Sequence, residues 1–156
     1  MLRRVLIAIA LLFLAAGLQA TWPGALSPLG VRPDLLLLFS LAAGLQLGTW
    51  PGMFVGFAAG VILGALGAHN YTTHIVTCTT AGFVGGLMSE RLHVDRFVVP
   101  AIAAGAFSLA AWPAQALLTG QSLPAAAVLT SQAAYNSLLS PLFFQIARVA
   151  RPDRSR

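Results

Sequence analysis

Lysine is absent from this chain of 156 residues: all nine basic side chains are arginine, against four acidic ones, and charged residues make up only 8% of the whole. Typical globular chains carry about 25%, so this sequence has too few charges to cover a solvated surface. With a single cysteine, Cys78, an intramolecular disulfide and a thiolate metal cluster are both excluded. The long apolar runs hold no charged side chain at depth. Membrane enzymes and proton pumps normally carry such groups, because buried charge is costly in lipid and persists there for function. Asp34, Glu90, Asp95 and Asp153 sit at run ends beside Arg32, Arg91, Arg96 and Arg151 or Arg154, where interfacial anchoring is their default role. The expectation is therefore a protein that is not an enzyme and needs no cofactor.

What is present is apolar: 58% of residues are hydrophobic and the mean hydropathy is +0.82. The net charge of +5 does not point to nucleic acid, because the arginines cap apolar runs and form no stripe. The partner that this composition implies is the lipid bilayer. Six apolar segments are legible, at 5–20, 35–50, 52–68, 72–89, 97–118 and 124–147, followed by a basic tail at 148–156. At about 20 residues per crossing they nearly exhaust the chain. The sequence thus predicts an all-α integral membrane protein, a six-helix transmembrane bundle forming one domain over 1–156.

Turn chemistry marks the breaks: Trp22-Pro23-Gly24 with Ser27-Pro28 and Gly30, then Trp50-Pro51-Gly52, then the charged loop Glu90 to Arg96. Segments two and three are short, covering about 25 Å against a hydrocarbon core of roughly 30 Å. Arginines near span ends stay cytoplasmic. An N-terminus inside places Arg3, Arg4, Arg91, Arg96, Arg148, Arg151, Arg154 and Arg156 inside and Arg32 alone outside, so six crossings with both termini cytoplasmic are expected. The first segment also reads as a signal peptide, but Leu18 fills a position of the cleavage site that wants a small residue.

The strongest pattern is a glycine ladder. Gly52, Gly56, Gly60 and Gly64 recur every four residues, although glycine costs a helix interior about 1 kcal/mol relative to alanine. Close helix approach in lipid offsets that loss, so the ladder is the first candidate for a partner-binding surface. Shorter ridges, Gly44 with Gly48 and Gly82 with Gly86, allow the alternative that these helices pack on one another.

Two further groups carry side chains capable of chemistry. His69, Tyr71 and His74 cluster at one turn, but a tetrahedral metal needs two more ligands and Cys78 lies a turn deeper, so no metal site is expected. Gln19, Gln46, Thr77, Thr79, Thr80, Gln115, Gln132, Asn136, Ser137, Ser140 and Gln145 are spread over all the segments. Their expected role is interhelical hydrogen bonding without convergence on one depth.

Arg32-Pro33-Asp34 followed by four leucines, the ladder Gly52 to Gly64, and Tyr135-Asn136-Ser137-Leu138-Leu139-Ser140-Pro141 resemble, in that order and spacing, the bacterial rod shape-determining MreD family. The likeness covers about Arg32 to Arg148. Members of that family commonly carry an acidic residue where the ladder ends, and this chain has Gly64 there. The resemblance implies a non-enzymatic scaffold of the cell-wall elongation machinery in the inner membrane. It would bind a bitopic MreC-like protein and, through it, RodA and a penicillin-binding protein. It also implies a fold similar to the substrate-binding subunit of energy-coupling-factor transporters, which supplies the rival reading of a vitamin-like ligand carrier. Arg32, Pro33 and Asp34 would fix the entry of segment two, with Pro33 in its first turn. Asn136 and Pro141 would shape segment six.

Overall fold

The computed structural model describes residues 2–23, 27, 30–66, 71–91, 98–120, 122 and 125–148, and every regular element among them is helical. Six helices follow one another: α1 Leu2–Ala20, α2 Leu35–Leu47, α3 Thr49–Ala65, α4 Tyr71–Arg91, α5 Val98–Thr119 and α6 Ala126–Arg148. Val98–Leu117 within α5 is long and apolar enough to cross a membrane, whereas Ile7–Ala20, Leu35–Leu47 and Thr49–Ala65 are apolar but shorter. His69, the loop residues His93, Asp95 and Arg96, and the tail arginines Arg151, Arg154 and Arg156 lie outside the described residues.

A helix that is apolar on all sides belongs in the middle of a bundle, and α2 is that helix. Every residue from Leu35 to Gln46 is buried, with Leu36, Leu38 and Leu41 at most 1% exposed. Around it stand α3 and α4, which pack most closely on each other and on α2. The α5–α6 hairpin closes on α2 mainly through α6, while α4 and α5, although consecutive, barely touch. Leu12, Ala15 and Ala16 turn one face of α1 into the core. Phe13, Leu14 and Leu18 on its other face are exposed.

The break between α2 and α3 falls at Gly48 and not, as expected, at Trp50-Pro51-Gly52. Gly48 has φ +94°, a backbone state that side chains with a Cβ rarely adopt, and there it ends one helix and caps the next. Pro51 falls in the first turn of α3, where the missing N–H has no intrahelical partner to lose.

The glycine ladder is spent inside the molecule. A Cβ on Gly52 would lie 2.5 Å from the Gly44 Cα and 2.6 Å from the Gly82 carbonyl oxygen. One on Gly56 would strike the Cys78 carbonyl, and one on Gly60 would lie 2.5 Å from the Ile75 Cα. From α4, Gly82 faces the Gly52 carbonyl, and Gly86 faces the backbone of Thr49. The backbones of α3 and α4 are thus in direct contact along a seam, extended to α2 by Gly44 and Gly85. This corrects the reading of Gly52, Gly56, Gly60 and Gly64 as a surface for another protein. All four are buried, and α4 of the same chain fills the groove they make.

Gly64 differs in that the atoms nearest to its Cβ would all belong to the Tyr71 ring, with Cε2 at 2.7 Å. An acidic side chain at this position would have to displace that ring.

Candidate functional site: a polar cleft at one end of the bundle

The first turn of a helix leaves its N–H groups without intrahelical partners, and at α2 three different segments supply them. Asp34 is the N-cap, its Oδ1 accepting from the Leu37 N–H at 3.1 Å. Gln19, at the end of α1, accepts from the Leu36 N–H through Oε1 at 3.0 Å and donates to Asp34 Oδ1 at 3.5 Å. Asn136 of α6 accepts from the Asp34 N–H through Oδ1 at 3.1 Å and donates through Nδ2 to Ser108 Oγ of α5 at 2.8 Å. One buried asparagine therefore ties the start of α2 to both helices of the α5–α6 hairpin.

Pro33 precedes the cap and does not enter the first turn as expected; it is buried, and Arg32 beside it is exposed. No ion pair joins Arg32 to Asp34, and among the described residues the Arg32 guanidinium has no hydrogen-bond partner. Burial of Asp34 raises its pKa, opposed by the Leu37 N–H, the nearby His74 and Gln19.

Pro141 lies inside α6 and cannot donate to the Ser137 carbonyl one turn earlier. The Ser140 hydroxyl donates to that carbonyl at 3.2 Å. Trp22 packs edge-on against Tyr135 of α6, with ring centroids 6.1 Å apart.

Above this network opens a cleft of about 480 Å³, within the range of small-molecule sites, roughly 300–1,000 Å³. Few contacts join α4 and α5, but at this end the Gln115 Nε2 of α5 donates to Thr77 Oγ1 of α4 at 3.2 Å. Polar lining comes from Gln19, Asp34, His74, Gln115, Gln132 and Asn136, with Arg32 also on its wall. Leu37, Leu63, Leu66 and the Trp112 ring supply the apolar part. The Trp112 Nε1 donates to Gln132 Oε1 at 2.6 Å, holding that amide in place.

Of the uncharged polar residues that the sequence spreads over all the segments, Gln19, Gln115, Gln132 and Asn136 converge on this cleft, against the expectation of no common depth, and the others do not line it. The available signal was alternation of direction. Gln19 and Gln115 fall in the last part of odd-numbered helices, and His74 and Gln132 in the first part of even-numbered ones. In an antiparallel succession such ends share one side. Gln46 and Gln145 do not join the cleft, and the buried Gln46 Nε2 and Thr79 Oγ1 have no hydrogen-bond partner.

Compared with known proteins, residues 1–146 match one family, described as rod shape-determining protein MreD. The match includes α1 and every residue of the cleft. The family consists of inner-membrane proteins that determine cell shape. No curated protein and no solved structure matches the chain, so the likeness to energy-coupling-factor subunits finds no support there.

Proposed function

Because the chain belongs to the MreD family, we propose that it is a non-enzymatic inner-membrane scaffold of the cell-wall elongation machinery, forming a single domain over 1–156. It crosses the bilayer six times with both termini in the cytoplasm, and it holds a bitopic MreC-like protein beside it. RodA and a penicillin-binding protein join through that partner. Charge asymmetry supports the topology, since it leaves Arg32 as the one arginine outside.

The observation that carries the scaffold reading is the two-sided build of α3. Its four ladder glycines face α4, so its largest side chains must face away. Trp50 and Phe54 are each 72% exposed and Phe57 is 53% exposed. At spacings of four and three residues they form one aromatic strip. Large rings on a rigid helix are what a single apolar span packs against with little loss of side-chain freedom, so this strip is assigned to the bitopic partner.

The test is co-purification in mild detergent after combined Phe54→Ala and Phe57→Ala substitution. Both side chains point outward, so insertion and melting should stay as in the wild type while recovery of the single-span partner falls at least tenfold. Undiminished recovery from a normally inserted variant refutes the assignment.

A further inference from the structure

We infer that the cleft at the start of α2 binds an anionic, hydroxyl-rich headgroup, its phosphate held by Arg32 and its hydroxyls by the amides beneath. This inference stands apart from the scaffold reading, which uses the opposite face of α3.

Three observations carry it. First, Arg32 lines the cleft, is exposed, and has no partner among the described residues. A guanidinium presents a planar fork of donors that matches phosphate in two parallel hydrogen bonds.

Second, the polar groups below it are only half used. Among the described residues Gln132 spends Oε1 on Trp112 and keeps Nε2, and Gln115 spends Nε2 on Thr77 and keeps Oε1. Among the same described residues Asp34 spends Oδ1 and keeps Oδ2, and no hydrogen bond engages the His74 ring. These half-buried side chains face the cleft, and a set with both donors and acceptors left over suits hydroxyls, which both give and take hydrogen bonds.

Third, the remaining wall is apolar: Leu37, Leu63 and Leu66. Leu66, just past the end of α3, is exposed, so that wall continues onto the bundle's outer surface. An amphiphile can place its headgroup on the amides while its hydrocarbon leaves along these leucines.

Charge balance permits the anion. Arg32 is the cationic group lining the cleft and Asp34 the acidic one, with Oδ1 of Asp34 committed to the α2 N-terminus and Gln19. The same chemistry is offered by a phosphatidylglycerol headgroup and by free glycerol phosphate, and the test separates these sources.

The experiment is native mass spectrometry of the full chain released from detergent, with phosphatidylglycerol or phosphatidylcholine of equal acyl length added in parallel. The wild type should retain phosphatidylglycerol at least tenfold better. Arg32→Ala should bring retention down to the phosphatidylcholine level. Gln132→Leu, which leaves every charge in place, should cut it several-fold. Arg91→Ala, at the other end of α4, should change nothing. Equal retention of the two lipids, survival of the preference in Arg32→Ala, or an equal loss in Arg91→Ala would overturn the site.

Glycerol phosphate is tested separately by its effect on melting in lipid-free detergent, since a ligand that binds only the folded state raises its stability. An Arg32-dependent rise assigns the cleft to a soluble phosphate ester. No rise, together with selective retention of phosphatidylglycerol, assigns it to the lipid.

Discussion

Replacing Gly56 by alanine adds one methyl group where the structure has backbone. The new carbon would strike the Cys78 carbonyl oxygen and lie 2.9 Å from its carbon and 3.0 Å from the Thr79 Cα, all in α4. None of these atoms belongs to a rotatable side chain, so α3 and α4 must separate. Overpacking a close-fitted core costs about 1–3 kcal/mol, and a retreat of 0.5–1 Å forfeits about a quarter to a half of each lost contact's dispersion energy. Against this, alanine is favoured over glycine inside a helix by about 0.5–1 kcal/mol. The net expectation is a loss of about 1–2 kcal/mol, or roughly 2–8 °C in melting midpoint for a chain of this size.

Gly17→Ala is the matched control, because a Cβ there meets nothing within 4 Å, leaving only the propensity gain. Both variants would be melted in the same detergent, following intrinsic tryptophan fluorescence. If Gly56→Ala and Gly60→Ala prove as stable as Gly17→Ala, the contact of α3 and α4 through backbone is refuted.

Other substitutions probe the polar end. Asn136→Leu leaves the Asp34 N–H and the Ser108 hydroxyl without their partner and should cost about 1–3 kcal/mol for the orphaned donor; an unchanged thermal midpoint would count against the stitching role of Asn136. Asp34→Asn keeps a side chain able to cap α2 but removes the titration. Since burial raises the Asp34 pKa in the fold, its stabilising contribution is full below the unfolded value of about 3.9 and is lost as pH rises through the folded value. The midpoint of the wild type relative to Asp34→Asn should therefore fall as pH rises above about 4, and a constant difference would exclude this linkage. A reporter fused after Arg156 should be active on the cytoplasmic side; activity only outside would remove the six-crossing topology.

The helices were legible because apolar runs and turn residues mark them directly, down to the two short segments that became α2 and α3. The position of their break was not. Trp50-Pro51-Gly52 looks like a turn by composition, but a proline in a first turn is helix-compatible, and the positive φ that decides the matter belongs to Gly48. The ladder announced close approach without naming the neighbour. Gly52 to Gly64 and Gly82 to Gly86 carry equal signals, and only their mutual fit shows that each is the other's occupant. The cleft was hidden for a related reason. Gln19, His74, Gln115 and Gln132 come from four helices, and no pairwise spacing along the chain relates them.

A side chain absorbs misfit by turning about its bonds, whereas a peptide group held in a helix has no such freedom. The stretch where α3 and α4 meet through their main chains therefore has no means of local accommodation, and any atom added there is transmitted whole to the relative placement of two helices. The outer rings of α3 carry no such burden. Its two faces are open to change on very different terms: the aromatic strip can be exchanged for new neighbours in the bilayer while the glycine face holds the frame unaltered.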